Sequence, residues 1–204
     1  WTESIRRPIV MDCGANVIVH GMGEGPIVEM ARRMEQRVSS VKCQGARDEG
    51  QGARGKRRMA KGEELVDLLK DIPGVCYRVA KSQPEPAEGI GLPSAEEVEA
   101  DPVVHARAYH QHEVSRDKLQ WQNCSGMRVI ANPPWIPTQA DLDRVFGLPF
   151  TRQAHPMYKG APIPALESVQ FSVTTHRGCF GGCSFCAIGA HQGKHVVSRS
   201  RESV

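Results

Sequence analysis

Three cysteines, Cys179, Cys183 and Cys186, follow one another at C-x3-C-x2-C spacing in a stretch that also holds Gly178, Gly181 and Gly182. Thiolates are the natural ligands of iron–sulfur clusters. Three of them on one glycine-rich loop can hold three irons of a cubane and leave the fourth iron without a protein ligand. The four-cysteine run of ferredoxins differs, because there every iron is capped and the cluster only carries electrons. Two other chemistries fit parts of the pattern. Cys183-x-x-Cys186 alone could be a redox pair, which leaves Cys179 without a role. A zinc site of the Cys3His type could use the three thiolates with His191 or His195.

The elements around the cysteines must hold them in place. Residues 167–175 alternate in the manner of a strand, with Val169, Phe171 and Val173 on one face, and lead directly into His176-Arg177-Gly178. A C-x3-C-x-aromatic-C run after a strand, with Phe185 as the aromatic, resembles the radical S-adenosylmethionine superfamily. The flanks extend the likeness. Phe171-Ser172-Val173, His191-Gln192-Gly193-Lys194 and Ser198-Arg199-Ser200 resemble the YgiQ family of that superfamily. So do Gly21-Met22-Gly23-Glu24, Asn132-Pro133-Pro134, Val145-Phe146-Gly147-Leu148-Pro149 and His155-Pro156 upstream.

The resemblance implies a [4Fe–4S] cluster on Cys179, Cys183 and Cys186, S-adenosylmethionine at its open iron, and Phe185 near the adenine. It implies reductive cleavage to a 5′-deoxyadenosyl radical, with an electron from a reductant protein such as a flavodoxin or ferredoxin, acting on a substrate the chain does not name. It further implies a Rossmann-like amino-terminal accessory domain over residues 1–164. Residues 165–204 are then expected to be the first strand and cluster loop of a partial (β/α) barrel. The chain opens on Trp1 without an initiator Met and has 18 residues after Cys186, so it reads as a segment of a longer enzyme, inactive alone. A zinc-binding interaction module and an accessory domain whose barrel comes from a partner chain are the competing readings.

Upstream, the β-branched run at Asn16 to His20, the turn Gly21-Met22-Gly23-Glu24-Gly25 and then Pro26 to Met34 read as strand, turn and helix, a unit of parallel α/β sheets. Ile27, Met30, Ala31 and Met34 are expected on that helix's buried face. The glycines give a weak dinucleotide-type signal and also look like the Gly-Glu element of cobalamin-binding domains. No ligand is assigned to them, because the third glycine is displaced and no cobalamin-ligand histidine motif precedes them. The basic, glycine-rich run from Gln44 to Lys61 has no aromatic for stacking on bases and reads as a solvated loop.

A helix is expected over residues 63–70 and a strand over 75–79, with a connecting segment from Lys81 to Gly91. Ser94 with Glu97 forms a capping box. Asp101 before Pro102 starts another helix, expected to run to about Trp121 with His105, Tyr109 and His112 on one polar face. Residues 127–131 read as a strand, Thr138 with Asp141 starts a helix closed at Phe146-Gly147, and His155 to Pro164 reads as a linker.

Composition narrows the function classes. Of 204 residues, 40% are hydrophobic and only 5% aromatic, with 20 Gly and 14 Pro, so the core is thin for the length. A net charge of +3 gives no nucleic-acid signal, and no run of about 18 apolar residues could span a membrane. Without an apolar leader, the seven cysteines point to reduced thiols in the cytoplasm. Cys13, Cys43, Cys76 and Cys124 stand alone and are expected to be buried small apolar groups.

Overall fold

The computed structural model describes residues 4–45, 62–183 and 185–204, with side chains up to residue 38 in the first stretch. Of the basic run, Gln44 and Gly45 close a helix instead of starting a loop, and residues 46–61, like the side chain of Cys43, lie outside the described residues. Two units divide between Trp135 and Ile136.

The first unit is a mixed α/β layer. Helix α1 (Ile9–Asp12) and strand β1 (Val17–Val19) precede α2 (Glu24–Gly45) and α3 (Gly62–Leu69). Strands β2 (Val75–Ala80) and β3 (Ile90–Leu92) follow, then α4 (Ala95–Ala100), α5 (Pro102–Val114), β4 (Gln120–Cys124) and β5 (Met127–Ala131). The sheet order is β1-β2-β5-β4-β3. Only β3 and β4 pair in parallel; β1 with β2, β2 with β5 and β4 with β5 are antiparallel. The expectation of a parallel, Rossmann-like sheet is therefore corrected. β1 enters the sheet against β2 in the opposite sense, with Val17 opposite Tyr77 and Val19 opposite Val75, although α2 and α3 intervene.

The β4–β5 hairpin turns on two residues, Ser125 (φ 49°) and Gly126 (φ 77°), the twist that suits a two-residue loop between right-twisted strands. Ser125 tolerates that left-handed backbone with its amide donating to Glu96 at 2.7 Å. The helix expected to reach Trp121 ends at Val114 instead. Gln120 turns back on it, its side-chain nitrogen donating to the carbonyl of Ser115 at 2.7 Å and to that of His112 at 3.1 Å, and Trp121 lies in β4. His105 and Tyr109 are exposed, while the His112 ring reaches Gln120 at 2.7 Å.

Leu69, Ile72, Val75, Tyr77 and Ile130 form the core, with Val17, Val19, Met30, Leu65 and Trp121 packed around it. Burying Leu69 completely contributes on the order of 2 kcal/mol. Of the four residues expected on the inner face of α2, only Met30 packs on that cluster, whereas Ile27, Ala31 and Met34 are exposed. Arg33 fixes the helix instead, donating to Glu29, Asp71 and the carbonyl of Leu68. Cys124 is buried and Cys76 half-buried, its thiol pushed up to about 11 by burial, but Cys13 is exposed, against expectation.

Chain ends of β1, β2 and β5 are tied in one polar knot. The backbone of His20 donates to the carbonyl of Gly74 at 2.9 Å, and its ring donates through Nε2 to the carbonyl of Asn132 at 3.0 Å. Asn132, buried, donates from its side chain to the carbonyls of Lys70 and Ile72, both at 2.7 Å. Burial lowers the pKa of His20 below its ordinary 6.5, more than the Asn132 contact raises it. In the unfolded chain the ring takes a proton as pH falls through that ordinary value, while the folded chain resists it, so stability is full above and lost below. Unfolding by denaturant should therefore become easier from about pH 7 to about pH 5.5, and His20→Gln should remove that part of the slope. Parallel pH curves for the two proteins would contradict this.

In the second unit, α6 (Gln139–Phe146) starts at a Thr138–Asp141 capping box, and a 3-10 turn (Pro156–Tyr158) leads to α7 (Pro164–Val169). Strands β6 (His176–Arg177) and β7 (Val197–Ser198) flank α8 (Ile188–His191). The strand expected over residues 167–175 does not form. Pro164 suits the first turn of a helix, and among the described residues the β6–β7 ladder stops at His176 but for one bond from the Arg199 amide to the carbonyl of Thr175. An extended segment without a partner leaves its ladder groups unpaired. Val169, Phe171 and Val173 are exposed.

Candidate metal centre

The cysteine loop is a closed loop with a two-residue base. β6 and β7 pair antiparallel, His176 opposite Ser198 and Arg177 opposite Val197, so residues 178–196 leave and return at one place. Gly178 sits at the exit with φ 88°, and a Cβ there would lie 1.9 Å from the carbonyl oxygen of His195. Only glycine allows the two backbones this close. Its amide donates to the Gln192 side chain at 3.0 Å, and the amide of Cys179 donates to the carbonyl of Gly193 at 3.1 Å. The His191-Gln192-Gly193-Lys194 stretch thus grips the first cysteine by its backbone.

Two of the three sulfurs share a neighbourhood. A Cβ on Gly181 would lie 3.3 Å from Sγ of Cys179 and 3.9 Å from Sγ of Cys183. The Gly181 amide also donates to Sγ of Cys179 at 3.4 Å. Cys186 is tied back by its amide to the carbonyl of Cys183 at 3.1 Å. Cys179 is half-buried, and Cys183 and Cys186 are exposed. Among the described residues no three Cys, His, Asp or Glu side chains converge as a metal-holding group, so the sulfur of Cys186 is not gathered with the other two, and neither His191 nor His195 joins them. The donor set nevertheless suits a cluster. Three thiols stand on one loop, one sulfur takes an amide, and the direction a Cβ of Gly182 would take is open for 4 Å. Phe185 is 91% exposed, its ring free to meet a flat ligand.

A group of contacts that sequence reasoning missed lies under this loop. The guanidinium of Arg177, in β6, stands over the Phe146 ring at 5.3 Å, and that of Arg199, just after β7, at 4.8 Å. Arg199 also donates to the carbonyl of Thr174 at 2.9 Å and to Ser203. One turn before Phe146, Asp143 accepts the amide of Ser200 at 2.9 Å, which lowers its pKa. The signal was present as the motifs Val145 to Pro149 and Ser198 to Ser200, but nothing in either one announces the other.

The Gly21 to Gly25 turn has a packing account of its own. Gly21 takes φ 73°, and a Cβ on Gly25 would lie 2.4 Å from the indole of Trp135. The start of α2 is thus covered by the protein's own side chain. No helix among the described residues is long and apolar enough to cross a membrane.

Comparison with known proteins adds the following. A family model described as Radical SAM N-terminal matches residues 1–172, a range that ends before the three cysteines. A UPF0313 protein of Bacteroides thetaiotaomicron is 38% identical over 210 residues, covering 100% of this chain and 32% of that protein. UPF0313 proteins of Geobacter sulfurreducens and Methanosarcina mazei are 38% and 37% identical, again over the whole of this chain and over 30% and 34% of their own lengths. The chain thus spans about a third of the length of these relatives. No solved structure matches it.

Proposed function

This chain belongs to the radical SAM N-terminal family, among the YgiQ-type UPF0313 proteins, and we propose that its Cys179, Cys183 and Cys186 hold a [4Fe–4S] cluster in a radical S-adenosylmethionine enzyme. A cluster held there would supply the one electron needed for reductive cleavage of S-adenosylmethionine to methionine and a 5′-deoxyadenosyl radical able to take hydrogen from a substrate. The electron comes from a reductant protein of the flavodoxin or ferredoxin type. Residues 1–164 are the accessory domain of this reading and residues 165–204 the start of its catalytic core.

The chain's own residues do the holding. The observation that carries the reading is the C-x3-C-x2-C loop, pinched at Gly178, with the sulfurs of Cys179 and Cys183 both beside Gly181. Gly181 and Gly182 keep side chains out of the space a bulky inorganic group needs. The Gly181 amide orients the Cys179 sulfur by its hydrogen bond. Phe185 offers a stacking face to the adenine, an interaction that alone cannot position the sulfonium.

Anaerobic reconstitution with iron and sulfide tests this. The expected product is brown and holds roughly four irons and four sulfides per chain. Replacing the isolated Cys13, Cys43, Cys76 and Cys124 should leave that content unchanged. One tightly held zinc with no iron incorporated would overturn the reading in favour of a Cys3His site.

A further inference from the structure

We infer that Phe146 is a positioning residue for the cysteine loop, an aromatic anchor that holds both strands at the loop's base through Arg177 and Arg199. β6 ends in Arg177 and β7 is followed directly by Arg199, and both guanidiniums lie over this one ring, at 5.3 Å and 4.8 Å. β6 and β7 share only two residue pairs, too short a ladder to be stable alone. The phenyl ring therefore supplies much of what the ladder lacks. Two like charges brought to one ring repel each other, and the attraction of each for the ring face must outweigh that. The rest of α6 reinforces the grip, since Asp143 takes the amide of Ser200 on the far side of β7. Arg199 reaches past β6 to the carbonyl of Thr174, and its amide donates to the carbonyl of Thr175 at 2.9 Å, prolonging the ladder by one bond. Cys179 follows Arg177 by two residues, so a base that opens releases the first thiol.

This rests on the cluster reading for its purpose, but its geometry is independent of any bound group. The test is hydrogen exchange on the full 204-residue chain, reduced and without metal, comparing Phe146→Leu and Phe146→Trp with the parent. Phe146→Leu keeps the apolar bulk and removes the ring. It should raise amide exchange over residues 176–198 about tenfold, the equivalent of about 1.4 kcal/mol of opening free energy, and leave β2 and β5 unchanged. Phe146→Trp restores a ring face and should exchange like the parent. Iodoacetamide should alkylate Cys179 faster in Phe146→Leu, with little change at the exposed Cys183 and Cys186.

Three results overturn the inference: parental exchange in Phe146→Leu, no protection over residues 176–198 in the parent, or equal loosening in Phe146→Trp. Faster exchange across β2 and β5 as well would also overturn it, as general destabilisation. If iron never loads into the parent while the exchange pattern holds, the anchor stands and the cluster reading falls. If iron loads and the exchange pattern fails, the reverse is true.

Discussion

Gly178→Ala is expected to empty the loop of iron although it touches no thiol. The backbone at residue 178 sits at φ 88°, where an L side chain is strained, and the new Cβ would lie 1.9 Å from the carbonyl oxygen of His195 and 2.8 Å from its carbon. Backbone cannot swing aside as the tip of a side chain can. Relief requires residues 178 and 195 to part, which breaks the Gly178 contact with Gln192 and the Cys179 contact with Gly193. The first thiolate then loses its place. Iron and sulfide per chain after anaerobic reconstitution should fall to background, while unfolding of the first unit is unchanged. Gly189→Ala is the control from the same loop, because its added Cβ would meet nothing closer than 3.8 Å, and it should load like the parent. Full loading of Gly178→Ala would show that the base of the loop does not govern the site.

The second large effect is on stability. Asn132→Ala removes the donor that satisfies two carbonyls, those of Lys70 and Ile72, at the end of the core strands. Two hydrogen bonds at about 1 kcal/mol each, with a buried acceptor left dry, give a loss on the order of 3 kcal/mol. For a unit of this size the melting temperature should fall by roughly 10 °C. Asn132→Asp should be worse at neutral pH, although it is the closer match in shape, because a carboxylate oxygen would face two carbonyl oxygens with no proton between them. A drop of less than about 2 °C for Asn132→Ala would mean that water replaces the lost donor.

What could be read from the sequence was local. The capping pairs at Ser94 with Glu97 and at Thr138 with Asp141, and the Asp101–Pro102 start, stand within three residues of one another, and each is found where its pattern placed it. Alternation was reliable where a partner exists, as in β2, and misleading over residues 167–175, most of which pair with no strand among the described residues. The Gln120–Trp121 pair read as the end of a helix because the reversal at Ser115 depends on a side chain folding back, which no periodicity records. Sheet order was hidden for the same reason, since the β2–β5 pairing joins residues about fifty apart and no short pattern encodes direction. Of the site, the cysteine spacing and its glycines were legible as types. The grip of Gln192 on Gly178 and the place of Phe146 under the loop were not, because both are contacts between separate stretches.

The placement of β2 beside β5 sets a timetable for synthesis. A ribosome that has made residues 75–80 has produced one side of the central pairing, and Val75, Tyr77 and Val79 have no strand from the carboxyl side to cover them until residues 127–131 have also emerged. At about 5–20 residues per second that interval lasts roughly 3–10 s. During it the nascent chain displays apolar surface to whatever is near the tunnel mouth, including other copies on the same message. The cysteine loop emerges only after the sheet can close, so under the proposed reading a cluster would load late in the life of each chain, after a fold it cannot assist.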